Sequence, residues 1–559
     1  MTDTLEPFTP YEESLMWRVH HAYFAQRGAA VWTEKEIPSQ GTSNGAQARA
    51  HARLLAALVA DRVRAGTLAP GEIVWVLEPG AGSGDFAAGF LKALEAGYPE
   101  LAERTRYLMT DYVARTVREA AALPKVAPWV AAGKLVPAVY DLRAPSALTD
   151  LEGAPLEARA SLVIANYVCC ALPMKPLQKH SDGWYAPWVE TRAELGGEAA
   201  EVVVERLCAD ATRPNALAEL ETRWEWRPFE LEGLGAFHAA VLARTTAALP
   251  EASVFYPALW LDFLRGVAPR LAPGGVVVTN DYGFVGLDRL EGLHERRPEK
   301  FANCLGQEVQ FAIFDAFAAV VGWDVARTHD PLDEIHQAVV GPSIGGGVRA
   351  EVGRRPLWGR PEWAHLLDFQ AAAQHFTKHG DLERALRFWQ RCAEIDPDHV
   401  DFHHHIGEVA TEVGLLELAQ AHLARGFALD PDGAGGFDWE HMLARVASMR
   451  GDVETARVWY KRSLAREPHP VTCINLAALA FDENDLGLTY RWLERALMLD
   501  PEHALANQRM VELRERVWEL AKVQLRNELP VDPDDIVVDD DESDDVDDGP
   551  DEGEDEPAT

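Results

Sequence analysis

The chain has 559 residues, 47% hydrophobic and 25% charged, enough for two to four globular domains and unlike a collagenous, wholly disordered or membrane-spanning sequence. Its 53 Lys and Arg against 89 Asp and Glu give a formal charge of −36, which argues against nonspecific binding to nucleic acid or to anionic lipid. Six cysteines with no CxxC pair, and an N-terminus without a basic region followed by an apolar run, predict reduced thiols and a cytoplasmic protein with no membrane partner.

From about Thr9 to Val340, β-rich runs alternate with helical stretches, the pattern of an α/β domain with a mostly parallel sheet. The predicted strands are Ile73 to Glu78, Arg106 to Asp111, Leu135 to Asp141, Ser161 to Asn166 and Gly275 to Asp281. Phe86 to Leu94, Val113 to Ala122 and Gln307 to Val321 read as helices, and Trp323 to Thr328 with Ile335 to Val340 as a closing hairpin. A Trp-rich stretch, Trp184 to Trp226, reads either as an inserted substrate lid or as a packing seam. This first domain is assigned 1–340, and the Gly, Pro and Arg-rich stretch 341–361 is assigned as a linker.

Residues 362–527 repeat. Pro397, Pro431, Pro468 and Pro501 recur at separations of 34, 37 and 33, and phrases beginning at Gly380, Gly414 and Gly451 precede three of them. A period near 34 with small residues where paired helices touch resembles the tetratricopeptide repeat, which predicts four helix pairs, a capping helix at Ala504 to Leu525 and a protein partner. His403, His404 and His405 fall on one helix, where adjacent side chains diverge, so no metal is predicted there. The tail, 528–559, is predicted to be disordered: from Val531 onward it holds 16 acids and no Lys or Arg.

The phrase Val74-Trp-Val-Leu-Glu-Pro-Gly-Ala-Gly-Ser-Gly-Asp85 is a strand followed by three alternate glycines and a helix. Gly80, Gly82 and Gly84 let a ligand approach the backbone at the helix N-terminus, and a side chain at position 82 is expected to fill ligand space. A dinucleotide fingerprint would place its third glycine at position 85, where this chain has Asp. The GxGxG spacing after Glu78 therefore points to S-adenosylmethionine. Asp111 sits where a ribose diol needs an acceptor, its alternative role being a helix cap. Asp141 is a candidate for the adenine amino group or else a solvated loop acid.

Ser161-Leu-Val-Ile-Ala-Asn-Tyr-Val-Cys-Cys-Ala-Leu-Pro173 resembles the "ANEFFDALP" segment of the MidA-like methyltransferases, relatives of the complex I assembly factor that methylates protein arginine. The strand ending Asn280-Asp-Tyr-Gly283 resembles the family's "IDYG", and Glu308 to Phe317 its "DITAHVDF" helix. The resemblance covers roughly residues 10 to 340. It implies a Rossmann-like class I methyltransferase fold, S-adenosylmethionine and a protein side chain, arginine by analogy, as acceptor. Tyr167 and Cys170 stand where the family has acids; Asn166, Asp281 and Tyr282, with Glu190 more distantly, are the candidate acceptor-side residues. The reading is a methyltransferase whose repeats dock a protein. Its rivals are a non-catalytic adaptor on the same fold and a small-molecule methyltransferase.

Overall fold

The computed structural model describes residues 2–528 except 35, 38–40, 42, 214–215, 302, 331–332, 356–361 and 434. The acidic tail assigned to 528–559 thus falls, beyond Glu528, outside the described residues.

The five predicted strands form the parallel centre of a nine-stranded sheet. In spatial order, Asp324–Arg327, Ile335–Gly341, Leu271–Phe284, Ala160–Asn166, Val74–Pro79, Thr105–Asp111, Leu135–Tyr140 and Leu148–Thr149 lie side by side, with Val309–Gln310 alongside Leu271–Phe284. The predicted closing hairpin is present and antiparallel. Central strands read as continuous apolar runs because both faces are covered: Leu77, Leu108 and Val163 pack into one core, Val76, Leu162 and Ile164 into the other. Val74–Pro79 lies between Thr105–Asp111 and Ala160–Asn166. The strand order therefore reverses there, and a crevice opens beyond the carboxyl ends of the two inner strands.

Two local expectations change. The helix predicted from Gln307 begins only at Ile313. Val309 and Gln310 instead pair with Gly283 and Phe284, and Gln310 Oε1 accepts from the Ala312 N–H at 3.0 Å. The Trp-rich stretch belongs to a second, five-stranded sheet, in which Gly183–Ala193 and Glu221–Phe229 pair antiparallel. The stretch 341–361 contains the helix Gly346–Val352, anchored by Gly347 and Val348 N–H groups donating to the Asp61 carboxylate at 3.2 and 3.0 Å.

The chain divides into two compact units, Met1–Phe402 and His403–Thr559. The first takes in the helix pair His365–Lys378 and Leu382–Ile395. Within that unit the Ile395 carbonyl accepts from Arg49, and Asp398 pairs with Lys92 at 2.5 Å.

The repeat helices continue as Val400–Glu412 with Leu416–Leu429, Trp439–Met449 with Val453–Arg466, and Pro470–Asp482 with Leu486–Leu499, closed by Ala504–Glu528. Gly380, Gly414 and Gly451 take φ of +74°, +80° and +79° at the turn inside their pairs, and Asn484, with φ +61°, takes the same place in the fourth. Asp381, Asp452 and Asp485 then cap the following helices by accepting from the N–H three residues on. The three adjacent histidines do not simply diverge. His403 pairs with His422 at 2.9 Å and His404 stacks on Phe437, yet ligand atoms of His404, His405 and Glu408 lie within 4.8 Å of one another.

Candidate active site

A cavity of about 640 Å³ occupies the crevice at the strand ends, within the range that holds a small molecule or cofactor. Glu78, Gly80, Gly82, Asp111, Asp141 and Asn166 all line it, and so does Tyr282. Two of the predicted residues, Gly84 and Asp281, do not.

The glycine turn makes the floor. Gly80, Gly82 and Gly84 have φ of +67°, +56° and +72°, a left-handed backbone that other residues adopt only with strain. Gly84 forms the N-cap of Asp85–Gly97, and a Cβ there would meet Met109 Sδ at 2.6 Å, so its smallness serves packing. A Cβ on Gly82 would meet the Trp32 ring at 2.9 Å before any ligand. The expectation that a side chain at 82 acts on ligand space alone is therefore corrected: it also displaces a wall residue and strains the turn.

Three acids line the cavity near the glycine turn, in different states. Glu78 is buried, accepts from Tyr107 Oη at 2.9 Å, and is pushed up to about 8 by burial. Burial likewise raises Asp111 to about 6, against the opposing bonds from the Val113 and Tyr112 N–H groups. Asp111 does not cap the next helix, whose N-cap Val113 has no side-chain cap bond; one of its oxygens takes the Val113 N–H at 2.9 Å, and the residue faces the cavity. Burial also pushes Asp141 up, but the bonds from Arg143 outweigh it and hold the carboxyl below its ordinary value. That carboxylate binds Arg143 through Nε at 3.0 Å and one terminal nitrogen at 2.8 Å, which leaves less of it for an adenine.

The opposite end is built on the turn after Ala160–Asn166. Tyr167 has φ +51°, unusual for a non-glycine residue, and its N–H donates to the Asn280 carbonyl at 2.9 Å. Asp281 is fully buried beneath this turn, accepting from the Cys170 and Tyr282 N–H groups, each at 3.0 Å. Burial raises it to about 7 despite those bonds and one from the Cys170 thiol. Its geometry is that of a residue positioning the turn. Cys169 and Cys170 are buried, and burial pushes both thiols well up, which makes them poor nucleophiles. Glu190 lies on the second sheet, where it accepts from Thr4.

A buried polar chain fixes Asn166. Asn280 Nδ2 lies 2.7 Å from Asn166 Oδ1 and 2.8 Å from His51 Nε2, while its Oδ1 accepts from Gln337 Nε2 at 2.9 Å. His51 Nδ1 lies 2.8 Å from the Gln47 carbonyl, so the ring donates there and accepts at Nε2. Burial lowers His51 to about 4, which keeps that neutral tautomer. Asn166 Nδ2 and Tyr282 Oη are then buried polar atoms without a protein partner, groups that a bound ligand would satisfy.

Sequence reasoning missed His51 and the roof. The roof comes from Leu15–Arg27 with Trp32, and from Phe301, Cys304 and Leu305. The signal for His51 was a lone histidine in an otherwise Ala and Leu-rich helix; nothing local marked the others.

Residues 54–302 match the family model described as "Putative S-adenosyl-L-methionine-dependent methyltransferase". No curated protein matches the chain. Among solved structures, a protein from Burkholderia thailandensis bound to S-adenosyl-homocysteine is 19% identical, covering 62% of this chain and 92% of its own, with a TM-score of 0.40. A native structure from the same organism gives 20% identity, 61% and 90% coverage and a TM-score of 0.38. A tetratricopeptide repeat protein of Thermus thermophilus is 18% identical over 27% of this chain and 90% of its own, with a TM-score of 0.23.

Proposed function

We propose that this protein, whose residues 54–302 match a family model of S-adenosylmethionine-dependent methyltransferases, methylates a protein side chain, and that its repeats hold the substrate. The observation that carries the reading is the convergence of the glycine turn, the buried Asp111 and two unpartnered polar groups, Asn166 Nδ2 and Tyr282 Oη, on one cavity.

The residues present fit the cofactor. Gly80 and Gly82 would bring its amino-acid portion against the backbone, with Glu78 beneath, and Asp111 would accept from its ribose. S-adenosylmethionine, when bound, supplies an electrophilic methyl group. The chain's own part is placement: Asn166, held through Asn280 and His51, and Tyr282 would orient the acceptor, and Asp281 keeps their turn in shape. Methyl transfer depends chiefly on such alignment, which accounts for a site without a nucleophile and base pair.

A tetratricopeptide solenoid tethered to the catalytic unit would raise the local concentration of a docked protein. Deleting the two helix pairs and closing helix that lie wholly in the second unit, residues 439–528, should then reduce transfer to a whole protein far more than transfer to a short peptide. The adaptor reading is favoured by one observation: position 170, which lines the cavity, carries a buried thiol where the family has an acid. Incubating the full chain and methyl-labelled S-adenosylmethionine with a lysate of its source organism separates them. Label in protein supports our reading, label in small molecules supports the small-molecule rival, and no label supports the adaptor.

A further inference from the structure

The closing helix leaves an open apolar groove at the end of the repeat stack. Leu486–Leu499 has 14 residues and Ala504–Glu528 has 25, lengths of about 21 and 37 Å at 1.5 Å per residue, so the closing helix runs on past its neighbour. Its Ala506, Met510 and Leu513 are buried, whereas Val517, Trp518, Leu520 and Val523 are 48%, 50%, 38% and 55% exposed. Trp439–Met449 and Pro470–Asp482 each pack against a second helix of their own pair; among the described residues no helix follows Ala504–Glu528. Leu486, Gly487 and Tyr490 on one side and Leu513, Val517 and Trp518 on the other line a groove of about 470 Å³. The end unit of a repeat stack needs a polar outer face to stay soluble, and a contiguous exposed apolar patch marks a docking surface.

The chain itself resumes beside this groove. Pro530, which cannot continue a helix, follows closely on Glu528, and the stretch from Val531 onward carries 16 acids and no Lys or Arg. Within that stretch Ile536-Val537-Val538 is the one run of three aliphatic residues. Val517 lies 11 residues before Glu528, about 17 Å along the helix. The eight to ten residues from Glu528 to the aliphatic run span up to about 30 Å when extended, so the run reaches the groove with slack. Charge agrees with this. Arg514 lines the groove, is exposed and has no ion pair among the described residues, and Asp534, Asp535, Asp539 and Asp540 flank the run. A second copy suits the groove less well, because it would bring two such acidic stretches to one interface.

We propose that Ile536-Val537-Val538 docks in the groove of its own chain's closing helix, with Arg514 meeting the flanking aspartates, so that the acidic stretch caps the repeat unit. This is independent of the methyltransferase reading.

The test uses the purified full chain carrying Val517→Cys with Val537→Cys and, as control, Val517→Cys with Val546→Cys, under mild oxidation. Five native cysteines are buried and Cys208 is half-buried. No Lys or Arg follows Arg526, so trypsin leaves the whole stretch as one peptide whose disulfide partner is read by mass spectrometry. Chain length alone, with loops of 20 and 29 residues, would keep the two rates of bridge formation within about twofold of each other. Docking holds position 537 near 517 and should make the first bridge form about tenfold or more faster than the control, within one chain. Ile536→Ser with Val538→Ser, or Trp518→Ser on the exposed helix face, should return it to the control rate. Rates within about twofold of each other, a bridge that forms only between chains, or a fast bridge that survives either variant overturns the proposal; the second of these assigns the groove to another copy.

Discussion

Asp111 ties cofactor affinity to pH in a way that can be worked out beforehand. The carboxyl is raised from 3.8 to about 6, with burial the largest cause. A ribose hydroxyl needs the ionised form as acceptor, and with a value of about 6 roughly one-tenth of the groups are ionised at pH 5 against nine-tenths at pH 7. Affinity for S-adenosylhomocysteine should therefore rise about tenfold from pH 5 to pH 7. Asp111→Asn removes the charge, and hydrogen bonds to charged groups contribute about 1.5–3 kcal/mol each. The variant should bind at least about tenfold more weakly at pH 7 and lose this part of the pH dependence. The effect on stability has the opposite sign. A carboxyl raised in the folded state costs stability as pH rises through its folded value, here at most about 3 kcal/mol for a shift of about two units, so Asp111→Asn should melt no lower than wild type at pH 7. Calorimetric titrations at pH 5, 6 and 7, paired with thermal melts, read both quantities. Equal affinity of wild type and variant across that range would remove Asp111 from the cofactor site.

His51→Leu should leave the affinity for S-adenosylhomocysteine within about twofold and lower methyl transfer at least about tenfold, since only the orientation of Asn166 is lost; equal losses of binding and transfer would point to general damage instead. Burial lowers His20 to about 3 and His51 to about 4, so both resist protonation when folded. The stability they support is complete above about pH 6.5 and declines as pH falls toward 4, and a melting temperature that is flat from pH 7 to 4.5 would contradict it. Gly82→Val should abolish cofactor binding and also lower the melting temperature by several degrees, through strain at φ +56° and contact with Trp32. A fragment ending at 402 should melt higher than one ending at 341, because the helix pair His365–Lys378 and Leu382–Ile395 is bonded to Arg49 and Lys92; equal melting temperatures would restore the boundary expected from sequence.

The parallel sheet was legible because its strands are buried on both faces and so read as unbroken apolar runs bounded by turn residues. The repeats were legible through their left-handed glycines, although the fourth, where Asn484 takes that conformation, had to be placed by its closing phrase Ala496 to Pro501 and the proline spacing. The cofactor end follows from local signals, since glycines and acids at strand ends are near one another in sequence and in space. The acceptor end does not. Asn166, His51 and Tyr282 come from three separate elements, and only the fold brings them to one cavity and the polar chain behind it. Asp281 shows the converse: its place in a motif suggested contact with substrate, whereas the N–H groups of Cys170 and Tyr282 turn its carboxylate under the backbone. The second sheet escaped notice because its strands, such as Glu221–Phe229, alternate exposed and half-buried residues and carry charges on one face.

The most direct test of the account is a crystal structure of the protein grown with S-adenosylhomocysteine. We expect the ligand in the cavity at the strand ends, its ribose hydroxyls within hydrogen-bonding distance of Asp111 and its sulfur facing the wall formed by Asn166 and Tyr282. A ligand bound elsewhere, or a cavity that stays empty at saturating concentration, would contradict it.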